Sequence, residues 1–120
     1  VEQFLAYGIP RDKLLLGIPL YMREWTVAAN GDLLGNRSLL MKNVPALMEQ
    51  EQTVSVWDDR YGQYRIEYPS DGNSRVFWLE NEETIRARLD IAKRYELAGV
   101  AFWRLGYEPE GFWETLLPLK

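Results

Sequence analysis

Two short, unbroken apolar runs constrain this chain more than anything else in it. One is Leu14-Leu15-Leu16-Gly17-Ile18-Pro19-Leu20-Tyr21; the other is Val100-Ala101-Phe102, ending on Trp103. Runs this short, without polar alternation, read as strands buried on both faces of a parallel sheet. Each follows a helix. Val1 to Tyr7 has apolar residues at Val1, Phe4, Leu5 and Ala6 and stops at Gly8, a glycine cap, with Pro10 blocking continuation. Asn81 is the N-cap of the other helix, with Glu82 and Glu83 in the first turn, where the helix dipole favours acids. Ile85, Leu89 and Ala92, flanked by Ala87, Ile91, Tyr95 and Ala98, form its apolar stripe, and Gly99 ends it. Helix then buried strand, twice over, predicts an α/β frame. Pro19 marks where the first ladder finishes. In such folds ligands sit at the carboxyl ends of the strands. Trp103 is therefore either a ligand-facing aromatic or part of the core.

Between these units the pattern changes. Asn30-Gly31-Asp32 is a turn signal, and Pro45 opens a short helix expected to reach Glu51. Three strand-like runs follow: Thr53 to Trp57, Tyr64 to Tyr68 and Arg75 to Leu79. Residues 58–63 and 69–74 separate them and carry hairpin chemistry. In the middle run Tyr64, Ile66 and Tyr68 alternate with Arg65 and Glu67, giving one apolar and one charged face. The sequence thus predicts a small antiparallel sheet inserted into the α/β frame. After Trp103, Pro109 precedes a last short helix with Phe112, Trp113, Leu116 and Leu117.

Composition removes several classes of function. With no cysteine and no histidine, disulfides, Cys/His zinc sites and Ser-His-Asp triads are excluded. The net charge of −4 comes without a basic patch, so nucleic acid and anionic membrane are not expected partners. Neither a signal peptide nor a membrane-spanning run is read from the sequence. Aromatics make up 13% of the chain, a supply suited to sugar binding as well as packing. The abrupt start at Val1, mid-helix, suggests a piece of a longer protein.

Lys13 to Trp25, read as K-L-L-L-G-I-P-L-Y-M-R-E-W, resembles the seventh strand of glycoside hydrolase family 18, the chitinase family, whose pattern there is K-L-x-x-G-I-P-x-Y-G-R-x-W. Trp78 through Trp103 is similar to that family's seventh helix and eighth strand, which ends G-V-x-x-W. The similarity is closest to the bacterial branch linked to spore coats and peptidoglycan. It implies the C-terminal portion of a (β/α)8 barrel carrying an inserted small α+β antiparallel sheet. Residues 1–23 would hold a barrel helix and strand 7, residues 24–80 the insertion, and residues 81–120 helix 7, strand 8 and the last helix.

The resemblance also implies a substrate, an N-acetylglucosamine-containing polysaccharide such as chitin or peptidoglycan, and an extracellular, cell-wall or spore-associated setting, with no cofactor and no metal. In the family a glutamate ending D-x-x-D-x-D-x-E protonates the leaving oxygen while the substrate's N-acetyl group attacks the anomeric carbon. That motif is absent here, so the 120 residues are expected to contribute no catalytic residue and to be inactive alone. Trp103 matches the tryptophan that floors the sugar subsite, and Tyr21 and Arg23 match the Y-x-R lining it, with Met22 where glycine is usual. The bland alternative for Arg23 is a structural ion pair. Trp25 is either cleft wall or core. Trp57-Asp58 resembles a W-D pair of the insertion, with Asp58 a cleft or a turn residue. Glu80 and Asn81 read as capping and positioning groups. Glu82, Glu83, Glu108 and Glu110 sit where helix first turns attract acids without catalysis. The alternative to an enzyme fragment is a lectin-like or interaction module, and the exposed strand edges of a partial barrel are expected to promote self-association.

Overall fold

The computed structural model describes residues 1–50 and 52–116. Strand β1 (Leu15–Pro19) and strand β7 (Gly99–Trp103) pair in parallel, from Leu15 opposite Gly99 to Pro19 opposite Trp103. Helix α1 (Glu2–Ala6) precedes β1, and helix α3 (Glu82–Arg94) precedes β7. Gly8, at φ +87°, takes the left-handed conformation expected of a glycine after a helix. Ile18 and the partly buried Leu16, Val100 and Phe102 pack against Ile85 of α3 and against Phe112 and Leu116 of the short helix α4 (Phe112–Leu116). The other face is open: Leu15 is 61% exposed and Trp103 64%. Burial on both faces, expected from the apolar runs, is thus found on one face only, because nothing among the described residues covers the second.

The antiparallel sheet is larger than the sequence suggested. It has five strands: β2 (Tyr21–Val27), β3 (Leu33–Leu40), β4 (Val54–Asp58), β5 (Gln63–Ser70) and β6 (Asn73–Trp78). Their order is β3-β2-β6-β5-β4. Strands β2 and β3 escaped the sequence reading because charged and polar residues interrupt their alternation; both flank the expected Asn30-Gly31-Asp32 turn. Tyr21, Arg23 and Trp25 therefore stand on a strand of this sheet rather than at the end of β1, and residue 23 falls inside β2. The second hairpin is tighter than residues 69–74 implied. Asp71 (φ +51°) and Gly72 (φ +78°) alone form the turn between Ser70 and Asn73, the two positive φ angles of a type I′ connection. Pro69 is tolerated inside β5 because β4 stops pairing at Glu67.

Leu20, fully buried, joins the two sheets. Its N–H donates to the Trp103 carbonyl at 2.7 Å, and its own carbonyl accepts from Met41 N–H at 3.1 Å. The inner face of the antiparallel sheet, with Met22, Ile66, Tyr68 and Phe77, continues the same core. Helix α2 (Val44–Met48) starts one residue before Pro45 and places Val44 in that core. The expected helix end at Glu51, and Leu117 of the last helix, lie outside the described residues. Glu108 and Glu110 precede α4 rather than occupying its first turn.

Candidate functional site

Side chains alternate along β2. Met22 and Glu24 are buried on the inner face, while Tyr21, Arg23 and Trp25 take the outer one. Across the sheet Val76 stands opposite Trp25, and Trp78 lies two residues further along β6, opposite Arg65. A groove of about 270 Å³ results, lined by Pro19, Tyr21, Arg23, Trp25, Gln63, Trp78 and Glu80. A second hollow of about 370 Å³ shares Trp25 and Trp78 with it and runs on to Val27, Leu33 and Arg65. Together they form an aromatic trough with guanidinium and amide groups at its sides. Rings of this kind stack on the apolar faces of a ligand, while the polar groups fix its orientation.

Three of the five sequence-predicted residues, Tyr21, Arg23 and Trp25, meet in this groove. Trp103 does not line it. It stands beside the groove through Pro19, its partner in the β1–β7 register, with its ring exposed at the carboxyl end of the parallel pair. Asp58 acts one step away. Its Oδ2 accepts from the Trp78 indole N–H at 2.9 Å, and its Oδ1 accepts from Arg60 N–H at 3.0 Å, so it holds both the turn and the groove's tryptophan. The Trp78 hydrogen bond, opposed by some desolvation and aided by the turn amides, keeps its pKa below the usual carboxylate range. Trp57, its neighbour in the sequence pair, points to the opposite face of the sheet, as strand alternation requires.

Two buried carboxylates support the groove from behind and below. Glu24, fully buried, accepts from Arg37 Nε at 2.7 Å, from Arg75 Nη1 at 3.0 Å and from the Tyr68 hydroxyl. Desolvation pushes its pKa upward, but these three donors outweigh it and hold the group below its ordinary value. The same burial, together with Glu24, raises the pKa of Tyr68. Glu80 lines the groove but is fully engaged. Oε2 accepts from Arg88 Nη1 (2.5 Å) and Thr84 Oγ1 (2.7 Å), and Oε1 from Arg88 Nη2 (2.6 Å) and Gln63 Nε2 (3.1 Å). Asn81 and Thr84 form a reciprocal capping box directly after it. Glu108 accepts from Gly106 N–H and the Trp113 indole. Among the described residues no three acidic side chains are placed to share a cation.

Sequence reasoning missed Trp78, Gln63 and Glu80 as groove residues. The signal was present for Trp78: Val76 and Trp78 alternate with the core residue Phe77, which sends the tryptophan outward. The sequence marked Glu80 only as a capping and positioning group, and nothing local marked Gln63, whose Nε2 donates to Leu79 O and Glu80 Oε1 across the sheet edge.

The family described as glycosyl hydrolases family 18 matches residues 1–108. The chain belongs to family 18. Its similarity to an uncharacterized glycosylase, YvbX, of Bacillus subtilis is 28% identity over 117 residues, covering 95% of this chain and 33% of that relative. Among solved structures, the Bacillus megaterium spore cortex-lytic enzyme SleL superposes with a TM-score of 0.76 at 21% identity, over 96% of this chain and 27% of the enzyme. A Cycas revoluta family 18 chitinase in complex with (GlcNAc)3 gives 0.74 at 23% identity, over 96% and 35%. The family 18 chain described here thus spans about a third of the length of the curated relative it matches. Its fold is the α/β fragment with an antiparallel sheet that these structures share.

Proposed function

We propose that this chain is the C-terminal part of a family 18 (β/α)8 barrel acting on an N-acetylglucosamine-containing polysaccharide, with β1 and β7 as neighbouring barrel strands and the five-stranded sheet as the insertion between them. The observation that carries the reading is the join between the two sheets. The β1–β7 pair ends at Pro19 and Trp103, and two residues after Pro19 the chain enters the outer face that bears Tyr21, Arg23 and Trp25. Strand ends and trough therefore form one continuous surface, with Trp103 as floor and Trp25 and Trp78 as wall. Arg23 supplies donors for sugar oxygens. A (GlcNAc)3-bound chitinase and a spore cortex-lytic enzyme among the similar structures support chitin or peptidoglycan as the polymer.

The chain provides the subsite and not the acid. Glu80, the carboxylate in the groove, is fixed by four donors, and Glu24 is turned into the core, so neither is free to protonate a leaving oxygen. The acid is then supplied by residues upstream of Val1, and the substrate's N-acetyl group is the nucleophile. The test is a pair of measurements on chitooligosaccharide and on peptidoglycan fragments. The chain alone should bind and release no sugar, whereas the longer protein that contains it should cleave. Cleavage by the chain alone would overturn the division of roles. Binding without cleavage by the longer protein would make it a lectin-like module instead.

A further inference from the structure

We propose a second sugar-binding site, outside the trough, in the notch between the β4–β5 hairpin and the first turns of α3. Trp57 and Tyr64 stand directly opposite each other in the β4–β5 register, on the sheet face opposite to Trp25 and Trp78. Their ring centroids are 5.1 Å apart at 73°, and they remain 50% and 41% exposed. The Trp57 indole N–H donates to Asp59 Oδ1 at 2.6 Å, which fixes the plane of the ring. Beside the pair lies a notch of about 220 Å³, closed on the far side by Asn81, Glu83, Thr84 and Ala87.

The chemistry of this notch selects its ligand. The Glu83 carboxylate has no hydrogen-bond partner among the described residues, and Asn81 uses its Oδ1 on Thr84 N–H, leaving its two amide hydrogens for a ligand. Ala87 presents only a methyl group and leaves room. No cationic side chain lines the notch, so anions are disfavoured. A purely apolar ligand would leave Glu83 and Asn81 unused. A neutral hexosamine ring matches all parts: its apolar face stacks on Trp57, its hydroxyls donate to Glu83, and an acetamido oxygen accepts from Asn81. Such a site would hold a second length of the polymer whose cleavage occurs at the trough. The inference rests on the carbohydrate reading above, but on residues other than those of the trough, apart from Gln63, which borders both.

The experiment is a titration of the 15N-labelled chain with tetra-N-acetylchitotetraose, following the indole N–H signals of its five tryptophans. The Trp57 signal should shift and saturate, and it should do so equally in Trp25→Ala, which disables the trough. Trp57→Ala, followed at the Asn81 side-chain amide signals of the same labelled chain, should weaken the notch affinity by about tenfold, and Glu83→Gln, at an exposed helix position that does not threaten folding, by about threefold. Shifts at Trp25, Trp78 or Trp103 alone would remove the notch and leave the trough standing. A shift at Trp57 alone would support the notch and count against the trough. A Trp57 signal that follows protein concentration rather than sugar would overturn the proposal in favour of edge pairing between copies at β4. Silence at every indole would overturn both sites.

Discussion

Replacing Glu24 by alanine probes the groove's hidden support. Glu24 lies between Arg23 and Trp25 on β2, yet its carboxylate is fully buried on the other face, tying β2 to β3 through Arg37, to β6 through Arg75 and to β5 through Tyr68. Glu24→Ala strands two guanidinium groups and a hydroxyl at once. Removing one partner of a buried ion pair typically costs about 3–5 kcal/mol. Arg37 is 56% exposed at its side chain and can rehydrate, whereas Arg75 is only 24% exposed and already has a buried Nε without a partner among the described residues. The loss is therefore expected near the lower bound, about 3 kcal/mol. With a urea m-value of roughly 1.5 kcal/mol/M, the unfolding midpoint followed by tryptophan fluorescence should fall by about 2 M. The acid limb tests the charge itself. A carboxylate whose folded pKa lies below its unfolded value contributes stability above the unfolded pKa and loses it as pH falls through the folded one. Wild-type stability should thus decline as pH drops below the ordinary glutamate range, and Glu24→Gln, which keeps the shape but not the charge, should show a shallower decline. A Glu24→Ala midpoint within about 0.3 M of wild type, or an identical acid limb in Glu24→Gln, would refute the idea that this cluster holds the sheet together.

Other perturbations read other parts of the structure. Asn81→Ala removes half of the capping box and should lower stability by about 1 kcal/mol, a drop of a few degrees in the thermal midpoint by circular dichroism. Arg88→Ala leaves Glu80 buried with two of its four hydrogen bonds and should cost roughly 3 kcal/mol, while weakening chitooligosaccharide binding because Gln63 and Glu80 both line the groove. Arg23→Ala and Trp25→Ala should each weaken that binding by about tenfold in calorimetry, with urea midpoints close to wild type, since both side chains lie on the outer face. Leu15→Lys should reduce self-association of the chain in light scattering, because Leu15 stands on the uncovered face of the β1–β7 pair; a monodisperse wild-type monomer would remove the premise.

What could be read in advance follows from how local each signal is. The β1 and β7 runs, the α3 cap and the β4–β5–β6 meander are written in short windows: an unbroken apolar stretch, an Asn followed by acids, an alternating strand between turn residues. The strands β2 and β3 are not. In β2 the inward positions are Met22 and Glu24, and a glutamate at a core position hides the period; it becomes intelligible only with Arg37, Arg75 and Tyr68 brought 13, 51 and 44 residues along the chain to meet it. The same non-local cluster holds Arg23 and Trp25 on the outer face. Motif resemblance could name those residues, but could not say that they belong to the antiparallel sheet or that Trp78 completes their groove. The open face of β1 and β7 is the converse case. Leu15, Ala101 and Trp103 lie on a face that nothing among the described residues covers, so the unbroken apolar runs signal a two-sided burial that only one side of the pair fulfils.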